Sequence, residues 1–259
     1  MYALDSSLQA AWQALFHKAS GLFPSLTLPR NIVFTDSAEQ TLDPSTRIAH
    51  TCGYPLMTLF KDRLRPLCVP CFKVSACENG QYHSVFLVRN SDPAHQLSDC
   101  QGYRAGINNP MSNSGMNVFR AAVAQLKTAH HNQPFFESLE ITGSHLDSME
   151  AIASGKIDIA AIDAITFNFA NKFKPDLCKI LRTIGNSVST MGLPFVSRCN
   201  SQDISGESLS EALNHALTAC PQETGALDIN YFKAVTLDDY QSILRLEDLA
   251  ISRGYPSLA

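Results

Sequence analysis

Apolar residues recur at helical spacing near the start of the chain, where Leu8, Ala11, Trp12, Leu15, Phe16 and Ala19 share one face, and predict an amphipathic helix over 6–19 that ends before Gly21. The pattern then shifts to short apolar or β-branched runs bounded by Pro, Gly, Asn or Asp. Five of these, 31–35, 48–52, 66–72, 84–89 and 104–108, are predicted strands. Strand and helix alternate in the middle of the chain. A helix over 117–129 puts Val118, Phe119, Ala122, Val123 and Leu126 on one face, and a strand follows over 136–141. A second helix over 144–154 buries Leu146, Met149, Ile152 and Ala153; Ser144 and Asp147 stand in capping-box spacing and Gly155 ends it. The run 157–162 is nearly all apolar and reads as a parallel strand covered on both faces, as do 178–184 and 193–197. Helices over 208–220 and 237–253 complete the chain. The alternation predicts an α/β fold. There is no internal repeat, and the nearest candidates for linkers are 78–81 and 186–192.

Composition narrows the class. A chain of 259 residues, 45% hydrophobic and 17% charged, suffices for one large domain or two modest ones and excludes collagen, coiled coil and disorder. Burying about 70 to 75% of its unfolded surface, it needs no disulfide or metal staple. Twenty basic against 24 acidic side chains give a formal charge of −4 without long runs of either sign, which argues against non-specific binding to nucleic acid or acidic membranes. No stretch approaches the roughly 18 consecutive apolar residues of a membrane span. The first residues, MYALDSSLQAAWQALFHKAS, lack a basic start followed by an apolar core, so as written the chain reads as not exported. Eight cysteines spread through apolar segments fit a reducing compartment, although an even count also permits disulfides.

In an open α/β sheet, ligands lie beyond the carboxyl ends of parallel strands, so the residues just after each apolar run carry the information. After 104–108 comes Asn109-Pro110-Met111-Ser112-Asn113-Ser114-Gly115, leading into a helix. Small hydroxyl side chains and a glycine let free N–H groups approach an anion, which the helix dipole also favours. Ser112 or Ser114 equally suits a helix cap. After 136–141 comes Thr142-Gly143-Ser144-His145, again a strand, a turn and a helix start. His145 there is either a charge-assisted donor to an anion or an ordinary surface or core histidine. Asp163 follows its apolar run directly and either caps the next segment or faces a ligand, in which case it selects an ammonium or an acidic OH over a fully ionised oxyanion. Tyr54 and Tyr82 offer phenolic donors or plain packing. Cys68 and Cys71, with Cys77 beyond, suggest zinc or redox chemistry, but no second CxxC or histidine pair accompanies them and the segment reads as a strand. His130 and His131 read as a solvated turn. No GxSxG, HExxH, Walker A or GxGxxG occurs, so catalysis is not signposted.

These segments occur in order: TCGYP at 51–55, YHSVFLVR at 82–89, SNSGMN at 112–117, TGSHLDSMEAIASGKIDIAAID at 142–163, GLPFVSR at 192–198 and RGYPSLA at the end. The set resembles the phosphate, phosphite and phosphonate substrate-binding proteins of ABC transporters, the PhnD-like family, over nearly the whole chain. The resemblance implies a type II periplasmic-binding-protein fold, in which two α/β lobes close on a ligand between them. It places crossovers near 82–84 and 192–195, one discontinuous lobe at 1–83 with 193–259, and an anion-binding lobe at 84–192. Carried over, the family's ligand oxygens fall on Ser112, Asn113, Ser114 and the backbone near Gly115, with His145 as charged donor. Tyr54 and Tyr82 contact the ligand from the other lobe and the hinge, and Asp163 holds the substituent or acidic OH.

Two departures accompany it. Family members normally open with a strand before the first helix and often carry an export signal, whereas here Met1 falls where that strand should be ending. The stretch 185–192, where another acid can contact the ligand, offers only Asn186, Ser187, Ser189 and Thr190, which counts against aminoalkylphosphonates. The expectation is a non-catalytic solute-binding component that takes a small phosphorus oxyanion, works with a transporter permease in the periplasm, and uses no metal or cofactor. A cytosolic sensor or enzyme on the same lobes is the alternative, and a redox or zinc protein built on Cys68, Cys71 and Cys77 the third reading.

Overall fold

The computed structural model describes residues 2–29, 31–35, 38–126, 134–201 and 203–258. His130 and His131 lie outside the described residues. The first elements are α1 (Ser6–Leu22), α2 (Ala38–Leu42), β1 (Ala49–His50), α3 (Gly53–Thr58), β2 (Leu64–Phe72), β3 (Gln81–Tyr82), β4 (Ser84–Arg89) and β5 (Arg104–Ile107). A single wide helical turn, Asn113–Asn117, runs into α4 (Val118–Ala124), followed by β6 (Ser138–Ile141), α5 (His145–Ser154), β7 (Ile159–Asp163), α6 (Ala164–Phe173) and α7 (Pro175–Cys178). The chain then forms β8 (Leu181–Asn186), β9 (Thr190–Met191), β10 (Phe195–Arg198), α8 (Gly206–Ala219), α9 (Pro221–Thr224), β11 (Ile229–Ala234) and α10 (Gln241–Ser252). It divides into two compact units, Met1–Gln81 with Met191–Tyr240 and Tyr82–Thr190 with Gln241–Ala259.

The first unit is built on a four-stranded sheet in the order β1-β10-β2-β11, with neighbours antiparallel. β2 sits in its interior despite Pro66 and Pro70, which cannot donate to a ladder. The pairing accommodates Pro66 through an irregularity in β10 between Phe195 and Val196, opposite Cys68 and Pro66. Helix α1 begins where Asp5 accepts the Ser7 N–H at 2.7 Å. Its apolar face, the one periodicity predicts, buries Leu8, Trp12, Leu15 and Phe16, and Phe16 and Trp12 meet Phe195 at ring distances of 5.4 and 5.8 Å. Helix α8 lies close on β2: a Cβ on Gly206 would fall 2.2 Å from the Leu67 carbonyl oxygen, so only glycine fits at the start of this helix.

The second unit carries a five-stranded sheet in the order β6-β5-β7-β4-β8. β5 runs parallel to β6 and β7, whereas β4 runs antiparallel to β7 and β8. Phe86, Phe119 and Phe136 form its aromatic core, with ring separations of 5.5 and 5.2 Å.

Four expectations need correction. Residues 31–35 form no strand. The segment 178–184 is split, ending α7 at Cys178 before β8 begins at Leu181. β8 and β10 are antiparallel to their neighbours, and β7 is parallel on one side only. An all-apolar run reports burial on both faces, not strand direction. Lastly, 241–258 joins the second unit, where the sequence reading put it with the first. The segment is held by polar ties to α4 and the turn before it: Asn117 donates to the Ile243 carbonyl at 3.0 Å, Arg120 to the Pro256 carbonyl at 2.6 Å, and Arg253 to the Ala124 carbonyl at 3.2 Å.

Candidate functional site

The parallel pairing of β5 with β6 sets their carboxyl ends side by side, and the ladder continues past both strands through the Gly143 N–H to the Asn108 carbonyl at 3.0 Å. This stitches the serine-rich turn after β5 to the Thr142–Ser144 turn before α5. Ser144 caps α5 by accepting the Asp147 N–H at 3.0 Å, which fixes the direction in which the first helical residue, His145, leaves the backbone. His145 Nε2 then lies 2.8 Å from Ser114 Oγ. The two turns that the sequence singles out therefore meet through these side chains.

Around this contact the polar groups divide between structural and uncommitted roles. Ser112 caps the turn at 113–117, its Oγ accepting the Gly115 N–H at 2.9 Å, so the capping reading holds for it. Asn113 is fully buried: its Nδ2 donates to Tyr82 Oη at 3.1 Å and Thr190 Oγ1 at 2.9 Å, while its Oδ1 accepts from Asn117 Nδ2 at 3.1 Å. Those bonds tie the turn to β3 and β9, where the chain passes between units. The Ser114 carbonyl accepts from the buried Ser84 hydroxyl at 2.8 Å. Gly115 is required by close approach, since a Cβ there would lie 1.8 Å from Asn108 Oδ1 and 3.2 Å from His145 Cε1. The leading N–H groups of a helix have no carbonyl partner within it, which keeps the entry to this turn electropositive.

His145 is half-buried, and desolvation pulls its pKa down to about 4; the Ala161 carbonyl acts weakly the other way. Nδ1 is inaccessible to solvent. The imidazole is therefore neutral at pH 7 until a negative charge arrives beside it.

Asp163 closes β7, is 2% exposed, and accepts the Ile165 and Thr166 N–H groups of α6 at 2.8 and 3.0 Å. Its capping role is thus realised. It stands opposite Ser84 in the β4–β7 ladder, one strand from β5. Tyr82 is 1% exposed. Tyr54 lies in the other unit, buried on α3.

Sequence reasoning missed three contributors: Asn108, Ser84 and Thr190. Asn108 ends an apolar run as Asp163 does, a signal that was there to be used. Ser84 and Thr190 carry none, because their roles depend on pairings far along the chain. Among the described residues no group of three or more His, Cys, Asp or Glu is arranged to hold a metal ion. Cys68 and Cys71 are buried on β2, where desolvation raises both thiols, opposing thiolate chemistry.

Comparison with known proteins places the chain in a family. Residues 32–244 match the family described as "ABC transporter, phosphonate, periplasmic substrate-binding protein", and the chain belongs to that family. No curated protein matches it in sequence. Among solved structures it is similar to PhnD1 from Prochlorococcus marinus in complex with methylphosphonate, at 12% identity and TM-score 0.72, covering 94% of this chain and 93% of that one. It is similar to a binding protein component of an ABC phosphonate transporter from Pseudomonas aeruginosa, at 16% identity and TM-score 0.71, covering 97% and 84%. It is also similar to XAC2383 from Xanthomonas citri bound to ATP, at 15% identity and TM-score 0.68, covering 95% of each. The fold is the type II periplasmic-binding-protein fold. The family consists of transport binding proteins, normally periplasmic and not enzymes, which does not favour the cytosolic sensor or enzyme reading. Among the described residues no helix is long and apolar enough to cross a membrane.

Proposed function

We propose that this chain is the periplasmic binding component of an ABC transporter and that its second unit holds a small phosphorus oxyanion, a phosphonate or phosphate, at the junction of the Ser112–Gly115 turn and the start of α5. The observation that carries the reading is the 2.8 Å contact between Ser114 Oγ and His145 Nε2, which sets a hydroxyl, an imidazole and a helix entry at one place. Ser114 Oγ and the leading N–H groups of the turn donate to the ligand oxygens. Bound beside His145, a dianion favours the imidazolium that burial disfavours, so the histidine becomes a charge-assisted donor only when the ligand is present.

Ser112 and Asn113 serve this site by shaping the turn, since their side chains are engaged elsewhere. The Asp163 carboxylate supplies the selectivity: near the anion it favours ligands with an acidic OH or an ammonium, and sulfate, ionised at every ordinary pH, is refused. Tyr82 acts through Asn113. A ligand contact by Tyr54 rests on the family resemblance alone. The role is binding and delivery to a permease, with no chemical turnover. Calorimetric titration with phosphate, methylphosphonate, aminoethylphosphonate and sulfate tests it: the first two bind, and sulfate does not.

A further inference from the structure

The two ring nitrogens of His145 meet unlike partners. Nε2 lies 2.8 Å from Ser114 Oγ, while Nδ1 is closed to solvent and faces the Ala161 carbonyl of β7. A carbonyl oxygen only accepts, so in the neutral imidazole the proton is assigned to Nδ1 and Nε2 is left as an acceptor. The 2.8 Å contact then has one direction: Ser114 donates to His145. The other hydroxyl neighbour of Ser114, Ser112 Oγ at 3.4 Å, is too distant to compete for that proton. A serine has a single hydroxyl proton, so in the unliganded protein Ser114 has none left for an anion. The ring's charge state is set by burial and by the Ala161 carbonyl, because the charged groups on the elements around it are engaged elsewhere. Asp147 of its own helix bonds Ser144, Glu150 is exposed, and Asp163 at the end of β7 holds the Ile165 and Thr166 N–H groups. Arg89 of β4 and Arg104 of β5 close on Asp158 at the opposite end of the sheet. Arg182 of β8 bonds the Asp92 and Ala94 carbonyls, Lys179 of α7 pairs with Asp176, and Lys172 of α6 lies over the Phe169 ring.

We infer that Ser114 is a hydrogen-bond relay switched by His145: on ligand binding the imidazole gains a proton at Nε2 and donates to Ser114 Oγ, which frees the serine hydroxyl to donate to a ligand oxygen. The inference rests on the proposed oxyanion-binding role and adds how that site is turned on. The only bond made is Nε2–H. Its proton comes from solvent when the ligand arrives as a dianion, and from the ligand itself when it arrives as a monoanion. Nδ1 keeps its proton on the Ala161 carbonyl throughout, so the imidazolium has both N–H groups satisfied. His145 is therefore a positioning residue whose charge reaches the ligand through Ser114. Binding of a dianion is linked to uptake of one proton, and its affinity falls as pH rises.

The test is ring-nitrogen NMR of the wild type, with the His145 signals assigned by their loss in His145→Ala, beside calorimetric titration of methylphosphonate in two buffers of different ionisation heat at pH 8.5, where the ligand is a dianion. The unliganded ring is expected to carry its proton on Nδ1 with Nε2 bare, and the saturated ring to carry both. One proton is taken up per ligand bound, and affinity drops about tenfold for each further pH unit. Ser114→Ala weakens binding about tenfold, as loss of one hydrogen bond to a charged group does. An unliganded ring with its proton on Nε2 overturns the relay, as does a ring that stays neutral in the complex, where any proton taken up has gone to the ligand. Binding by Ser114→Ala within twofold of wild type, with the ring still charged in the complex, means that His145 donates directly; the relay then falls while the functional reading stands. If the wild type binds no phosphorus oxyanion, the functional reading fails and takes this one with it.

Discussion

Ser114 Oγ and His145 Nε2 stand 2.8 Å apart although 31 residues separate them in the chain. Two adjacent parallel strands bring them together, β5 delivering the serine turn and β6 the histidine turn. If they act as one site, Ser114→Ala and His145→Ala each weaken methylphosphonate binding, the second by more than tenfold, and the double variant loses less than the sum. A double-mutant cycle by calorimetry checks this; strict additivity means that the two side chains do not cooperate.

Half-buried and neutral, His145 makes the unliganded protein sensitive to acid. Its folded pKa of about 4 lies below the ordinary 6.5, so as pH falls through that window the unfolded chain takes the proton first. Stability is fully present above pH 6.5, declines from there to about 4, and changes no further from this group below that. Because the side chain is only half-buried, the loss is on the order of 1 to 2 kcal/mol. His50, whose pKa burial also holds well down, adds to the same slope from the first unit. Denaturant unfolding of wild type and His145→Ala at pH 7 and 4.5 should show a shallower decline in the variant.

The amide of Asn113 holds both segments at which the chain crosses between units. Asn113→Ala leaves the buried Tyr82 and Thr190 hydroxyls and the Asn117 amide short of a partner each. A loss of about 2 kcal/mol follows. Asn113→Asp has the shape but cannot donate and is expected to lose as much, whereas a ligand-only role predicts no change in the unliganded midpoint.

Arg120 is 3% exposed, bonded to Asn117 Oδ1 at 2.9 Å and paired with Glu247 at 3.4 Å. Replacing it by Met strands Glu247 on α10, Asn117 Oδ1 and the Pro256 carbonyl, and destabilises the protein by about 2 to 3 kcal/mol. Hydrogen exchange in 241–258 should rise more than in β2, since that segment packs with the second unit.

Much of this organisation was legible in the sequence because it is local. The apolar face of α1, the cap at Ser144, the stop at Gly155 and the strand 84–89 follow from periodicity and capping chemistry, and strand-end logic alone singled out Ser114, His145 and Asp163, of which the structure brings the first two into contact. What escaped was non-local. Nothing in the run 178–184 told that an antiparallel partner in β4 awaited its second half, and nothing in α10 told which unit its polar ties would choose. Asn113 entered the ligand set through the family resemblance; that its amide is bonded to Tyr82 and Thr190 depends on segments far along the chain and left no mark in the sequence. The family motifs were informative as an ordered set, more than as single residues.

The most direct measurement is calorimetric titration of the purified protein with methylphosphonate, phosphate and sulfate at pH 7.5. Saturable one-to-one binding of methylphosphonate or phosphate, lost by more than tenfold in His145→Ala, with no heat from sulfate, is the predicted result. Sulfate bound as tightly as phosphate, or no phosphorus oxyanion bound at all, contradicts it.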